Sequence, residues 1–344
     1  MVKMYGERWK HVKDLVEAGQ SWTYIVRDTK AAESPLYVLK RLKNSKRLAR
    51  FEKELEATRS LQHPAIVKLV DARLDLPEPF IVTEYCEGGE LAKQEKYLRT
   101  LPATDVIKLF LPLCDAVAFA HNHSPTIFHR DIKPENVFLQ SASGPLVLGD
   151  FGLCLIEGNE RMTAAEEAVG SRYFIAPEME GGQSDRVGKW TDVYSLGKLL
   201  HWMLSGKRFA REKHRENGND IRVARMDYFL EHVNVILDRA IVEAPSGRFE
   251  TVAELAEALK ECIRLVDGRF NPLSVNDQGC RYCGRDVYRP MKRKYVGQLF
   301  GVTAMQSEAF HALQCIVCGN IQTFFLSGDI QQRDWITKQR LRSD

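Results

Sequence analysis

The chain has 344 residues, more than one ordinary domain needs, and 44% of them are hydrophobic, enough to bury a full core plus a smaller appended module. Its 49 basic and 46 acidic residues leave a formal charge of only +3, which excludes a globally basic, histone-like binder and makes any nucleic-acid argument a local one. The opening residues Met1 to Trp9 place no apolar run after their charges, and no stretch reaches the roughly 18 consecutive apolar residues that cross a bilayer; even Leu109 to Cys114 is broken by Asp115. These features predict a soluble, cytoplasmic protein without a membrane partner.

From Val12 to about Tyr85 the chain is strand-like, with the short apolar runs Tyr24-Ile25-Val26, Leu36-Tyr37-Val38-Leu39 and Phe80-Ile81-Val82. One charged helical stretch, Ser45 to Leu61, interrupts them. After Gly88-Gly89 longer helical periods take over, at Thr104 to His121, Asp192 to Ser205 and Val252 to Val266. A β-rich lobe (1–84) is therefore expected to precede a larger helical lobe (85–268), an α+β organisation. The Gly/Asn/Pro/Ser-containing stretch from Asp267 to Gly279 reads as a linker into a third unit, 269–344.

Three words carry the chemistry. His129-Arg130-Asp131-Ile132-Lys133-Pro134-Glu135-Asn136 is followed, fourteen residues after Asn136, by Asp150-Phe151-Gly152 and then by Ala176-Pro177-Glu178. In this order they resemble the signature set of the eukaryotic-like (Hanks-type) Ser/Thr protein kinases, found in bacteria as well as eukaryotes. The resemblance covers roughly residues 12 to 266 and implies a bilobal protein-kinase-like fold that uses ATP and Mg²⁺ to phosphorylate protein substrates.

The resemblance also implies roles. Asp131 accepts the substrate hydroxyl proton, Lys133 balances charge on the moving phosphoryl group, and Asn136 and Asp150 hold Mg²⁺ through oxygen. Lys133 within this run resembles Ser/Thr rather than Tyr kinases. Lys40, at the end of the Leu36–Leu39 run, takes the place of the strand lysine that binds the phosphates, and Glu54 is its expected partner, with Glu52 and Glu56 close by. Thr83-Glu84-Tyr85-Cys86 resembles the hinge that bonds adenine, Thr83 as gatekeeper.

The glycine-rich loop departs from the family. Val16, Ala18 and Ser21 stand where its three glycines are expected, and only the intervening Gly19 remains. Glycine is used there because the backbone approaches phosphate closely, so weakened ATP binding is expected rather than lost chemistry. An ATP-binding pseudokinase scaffold stands as the alternative. A small-molecule phosphotransferase is disfavoured by Ala176-Pro177-Glu178 and its expected partner Arg248. Arg130 implies a phosphate on the activation segment, for which Thr163 is the expected autophosphorylation site; Ser171 takes the place of the threonine that bonds Asp131 and Lys133, and Asp192 anchors the catalytic loop from below.

Cys280-Arg281-Tyr282-Cys283 and Cys315-Ile316-Val317-Cys318 are two C-x-x-C pairs, each followed by glycine. Four thiolates suit structural Zn²⁺ in a closed tetrahedral site, so residues 269–344 are expected to form a zinc-ribbon-like module, with strands including Gln322 to Leu326. His311 is an alternative ligand, and nothing around either pair resembles a thioredoxin-like unit. This end carries eleven Lys/Arg against six Asp/Glu, among them Lys292-Arg293-Lys294 between Tyr288 and Tyr295. It offers a surface for a protein or nucleic-acid ligand, or simply a solvated charge run.

Overall fold

The computed structural model of the chain describes residues 3–15, 21–31, 33–75, 77–157, 173–180, 187–216, 218–225, 230–268, 288–290, 310–315 and 321–325. Two compact units divide it: residues 1–224 together with 237–257, and residues 225–236 together with 258–344.

The first unit opens with strands β1 (Met4–Tyr5), β2 (Trp9–Asp14), β3 (Ser21–Asp28) and β4 (Leu36–Leu42), then helix α1 (Leu48–Ser60), β5 (Leu69–Arg73) and β6 (Phe80–Glu84). All six strands pair antiparallel in the order β1-β2-β3-β4-β6-β5. Aromatic and β-branched residues supply the buried face, as half-buried strands require. Tyr5, Trp9, Tyr24, Val26, Leu39, Phe80 and Val82 form its core. Trp9 is fully buried, yet its indole N–H is satisfied by Asp71 Oδ2 at 2.8 Å. The hairpin β1–β2 begins earlier than the Val12 expected from the strand pattern. Gly6, at φ +56°, makes the turn that lets it fold back.

Helix α1 buries Phe51, Glu54, Leu55, Ala57 and Thr58, a stripe with helical spacing, and packs Phe51 and Leu55 on Ile81 of β6. One turn of 3-10 helix, Ser45–Arg47, precedes it. The packing holds Glu54 over the sheet rather than in solvent.

The larger lobe follows with β7 (Gly89–Glu90), α2 (Glu95–Thr100), α3 (Ala103–His121), β8 (Ile127–Phe128), β9 (Val137–Leu139), β10 (Leu146–Leu148), β11 (Leu155–Ile156), α4 (Lys189–Ser205) and α5 (Ile221–Arg225). Its small sheets are β10-β9-β7 and β11-β8. Helices α6 (Leu230–Ala240) and α7 (Val252–Gly268) come next. Helix α4 is buried on every side from Thr191 to Ser205, which is why its polar residues carry internal partners. It stops at Gly206, whose φ of +70° is the left-handed cap that only glycine adopts without cost.

Lys198 illustrates those partners. Its Nζ donates to Phe209 O at 2.7 Å and Arg211 O at 3.1 Å and lies 3.5 Å over the Phe209 ring, beside Tyr194. Burial pushes its pKa down to about 7. An unfolded lysine titrates near 10.4, so between those values the unfolded chain binds more protons and stability rises with pH. Urea unfolding at about pH 7 and about pH 9 is expected to show this rise in the wild type and a smaller one in Lys198→Met. Equal slopes in both would remove Lys198 as its source.

The second unit contains an antiparallel sheet of β12 (Tyr288–Pro290), β13 (Phe310–Cys315) and β14 (Ile321–Phe325), in the order β12-β13-β14. The register sets Tyr288 opposite Cys315. Cys280, Cys283 and Cys318 lie outside the described residues. Among the described residues, no cluster could hold a metal through His, Cys, Asp or Glu alone, and no helix is long and apolar enough to cross a membrane.

Candidate active site

Strand β4 lies between β3 and β6, and its register sets Lys40 opposite Thr23 and Ile81. Lys40 is thus inside the strand, which continues to Leu42, rather than at its end. Its Nζ donates to Glu54 Oε1 at 2.6 Å and to Asp150 Oδ1 at 2.9 Å, joining strand, helix and loop at one ammonium group. Burial alone would lower the Lys40 pKa, but the Asp150 and Glu54 carboxylates outweigh it and raise the value above an ordinary lysine's. For Asp150, burial works upward and the Lys40 charge and hydrogen bond win, lowering it. Glu54 goes the other way, raised by burial against the pull of Lys40. Lys40 is shared between two carboxylates and so fully neutralises neither.

Gly152 closes this corner. Its N–H donates to Asp150 Oδ1 at 3.3 Å, and a Cβ there would stand 3.0 Å from Asp150 Oδ1 and 3.3 Å from Glu54 Oε2. Any side chain would crowd both carboxylates. Arg50, one turn before Glu54 on α1, donates from Nε to Gly152 O at 2.6 Å and so ties the helix directly to the loop.

The catalytic loop is held from below by Asp192 of α4. This fully buried carboxylate accepts from His129 N and Arg130 N and bonds His121 Nε2, each at 2.8 Å. Burial would raise the Asp192 pKa, but the His121 hydrogen bond, the neighbouring imidazoles of His121 and His129 and the Arg130 N–H lower it. These bonds hold Arg130 at φ +67°, a left-handed conformation costing roughly 1–2 kcal/mol for a residue with a Cβ; Asp150, at φ +57°, is the other left-handed residue of the site.

Above that anchor, Lys133 Nζ reaches Asp131 Oδ1 at 3.0 Å and Oδ2 at 2.7 Å, while Asn136 Nδ2 donates to Asp131 O and Oδ2, both at 2.8 Å. With its amide hydrogens committed to Asp131, Asn136 is left with an acceptor oxygen. The two groups are joined through His129, whose Nε2 lies 3.1 Å from Gly149 O and whose ring is 4.7 Å from that of Phe151. The Asn136 side-chain oxygen, which meets no donor among the described residues, and the half-exposed Asp150 carboxylate are hard donors of the kind Mg²⁺ prefers, so these residues fit that ion.

The remaining sequence candidates divide by position. Thr83 lies in β6 opposite Val38, Glu84 Oε1 accepts from Lys68 N at 3.1 Å, and burial pushes the Cys86 thiol up to about 12. Ser21 opens β3 and is buried. Ala18, Gly19, Thr163 and Ser171 lie outside the described residues. Arg130 is buried, its Nε meets no acceptor among the described residues, and burial lowers its pKa against the attraction of Asp192. Glu178 and Arg248 form a bidentate pair at 2.8 and 2.9 Å, and Thr191 Oγ1 donates to Glu178 Oε1 at 2.8 Å.

Three contacts escaped the sequence reading: Arg50 on Gly152 O, His121 on Asp192, and Arg208 Nη2 on Glu135 Oε1 at 2.7 Å. Each partner comes from outside the signature words. Only the placement of Arg50 one helical turn before Glu54 offered a signal.

A family model described as protein kinase domain matches residues 19–267. Among curated relatives, a Dictyostelium discoideum protein described as "Probable serine/threonine-protein kinase" is 32% identical over 219 residues, 56% of this chain and 19% of that protein. "Probable serine/threonine-protein kinase PknB" of Lactococcus lactis is 29% identical over 210 residues, 60% of this chain and 32% of that protein. "Aurora/IPL1-related protein kinase 2" of Caenorhabditis elegans is 33% identical over 204 residues, covering 57% and 63%. The chain thus spans about a fifth to a third of the length of the first two. The crystal structure of the Mycobacterium tuberculosis PknI kinase domain superposes with a TM-score of 0.56 at 23% identity, covering 75% of this chain and 98% of that one, which supports the fold. With a family match over most of its length and a lysine, two aspartates and an asparagine set in one linked constellation, the chain belongs to the protein kinase family.

Proposed function

We propose that the chain is an ATP-dependent Ser/Thr protein kinase, transferring the γ-phosphoryl group to protein hydroxyls. The observation that supports this most is Lys40 Nζ held between Glu54 and Asp150, because phosphoryl transfer asks chiefly for positioned charge. In this reading Lys40 steadies the nucleotide phosphates, Glu54 fixes Lys40, and Asp131 receives the proton of an acceptor hydroxyl oriented beside Lys133. Asn136 and Asp150 would hold Mg²⁺, which when bound draws negative charge from the phosphate oxygens. Thr83, Glu84 and Cys86 would line the adenine end, and Ala18, Gly19 and Ser21 are the residues proposed to meet the nucleotide phosphates. The Glu178–Arg248 pair favours protein over small-molecule acceptors.

The test is transfer of labelled γ-phosphate, with Mg²⁺, to the chain itself and to a generic protein substrate. Label is expected on Ser and Thr, and Thr163 is the acceptor proposed on the activation segment, where Arg130 would pair with its phosphate. Absence of label at saturating nucleotide would leave an ATP-binding scaffold instead. Ser171 would order the segment by bonding Asp131 and Lys133.

Residues 1–84 and 85–268 form the two lobes of this kinase, and 269–344 a separate zinc-ribbon-like module. Cys280, Cys283, Cys315 and Cys318 would close a structural Zn²⁺ site, which would help so short a segment hold its fold. Purified chain is expected to carry zinc in stoichiometric amount, lost in Cys280→Ser and stripped by a chelator with unfolding of 269–344. Metal-free chain with unchanged protease resistance there would end the idea. The module's excess of basic residues points to an acidic protein or nucleic-acid ligand.

A further inference from the structure

The catalytic loop carries a second, exposed carboxylate. Glu135 lies on the 3-10 turn Pro134–Asn136, between Lys133 and Asn136, both of which bond Asp131. It therefore stands within one turn of the group that an acceptor hydroxyl must approach. Alone, a carboxylate at that rim would attract lysine or arginine side chains of an incoming peptide.

Arg208, just past the end of α4, occupies it. Its Nη2 lies 2.7 Å from Glu135 Oε1, with side chains 36% and 38% exposed. The guanidinium carbon also sits 5.4 Å over the ring of Phe174, whose carbonyl accepts from Ser195 Oγ at 2.9 Å. Phe174 is buried two residues before Ala176-Pro177-Glu178. Arg208 thus bridges the catalytic loop and the stretch leading into that motif. Among the described residues its only hydrogen bond is to Glu135, leaving Nε and Nη1 as donors at the surface.

We propose that Arg208 is a specificity-determining residue that directs phosphorylation toward acceptors flanked by acidic side chains and away from basic ones. It neutralises Glu135 and presents the rest of its planar fork to a substrate carboxylate, a geometry that suits bidentate hydrogen bonding. A peptide lysine or arginine arriving there finds Glu135 already paired and the guanidinium beside it, so it loses the attraction that the carboxylate alone would offer. An exposed ion pair adds little to stability, so the variants below are expected to fold. This inference rests on the protein kinase reading given above.

The experiment uses the full chain and two peptide sets, each with one serine flanked by glutamate or by lysine at successive positions. In the wild type, kcat/KM is expected to favour the glutamate set by about tenfold at the responsive position. Arg208→Ala should bring the ratio near one or invert it, Arg208→Lys should keep its direction, and Glu135→Gln should raise it. Equal use of both sets by the wild type, or an unchanged ratio in Arg208→Ala, overturns the proposal while leaving the kinase reading intact. Should Arg208→Ala fail to fold, the Glu135→Gln ratio decides, and no increase there overturns it. No transfer to either set, to a generic protein or to the chain itself overturns both.

Discussion

Asp131→Asn is expected to lower kcat for phosphate transfer about 10²- to 10⁴-fold, the usual range for loss of a positioned general base, while ATP affinity stays within about twofold. The split follows from the geometry. Asparagine keeps the size of the side chain and an oxygen for Lys133 Nζ and Asn136 Nδ2, but it has no negative charge and cannot accept the hydroxyl proton. Lys40 and its contacts with Glu54 and Asp150 are untouched, so nucleotide binding should persist. Steady-state kinetics with a nucleotide titration separates the two quantities. Turnover near the wild-type rate would mean that Asp131 is not the base, or that the measured activity comes from a contaminant.

Arg248→Ala is expected to cost about 3–5 kcal/mol of stability, the range for breaking a buried ion pair from one side. The Arg248 side chain is fully buried and that of Glu178 is 3% exposed. Besides Glu178, the guanidinium serves the carbonyls of Val242 at 2.6 Å, Glu243 at 2.8 Å and Trp190 at 3.1 Å, and it lies 4.8 Å from the Tyr194 ring. Truncation would leave the buried Glu178 carboxylate without its counter-charge and take a donor from the Val242 and Glu243 carbonyls. Urea unfolding measures the loss, and a shift below about 1 kcal/mol would show that water replaces the guanidinium. The paired replacement Glu178→Leu with Arg248→Met is expected to recover part of the deficit, since it removes the unpaired charge.

What could be seen in the sequence follows the same physics. The words around Asp131, Asp150 and Glu178 stand out because their chemistry needs set residue types at short, fixed intervals, and with them comes the kinase fold. Contacts supplied from elsewhere leave no such trace. Arg50 and Gly152 are 102 residues apart, Arg208 and Glu135 73 apart, and Trp9 and Asp71 62 apart. No local pattern links them. Helix α4 starts at Lys189 rather than at Asp192, because the only apolar residue of its first turn, Trp190, is exposed and periodicity reads buried apolar faces. Its buried Thr191 and Asp192 are there to be bonded, not to pack. The two-residue strand β1 is shorter than any alternation can report.

That small strand and its partner decide how the molecule can be dissected. The family match begins at residue 19, past Trp9 and the whole β1–β2 hairpin. A fragment cut there would open the flank of β3, leave Asp71 without its indole and uncover Tyr24 and Tyr37, which pack against the hairpin's aromatic residues. A bare strand flanked by aromatic surface invites pairing with another copy and self-association. The smallest stable piece of this enzyme must therefore be drawn from the hydrogen bond of Trp9, not from the boundaries of family similarity.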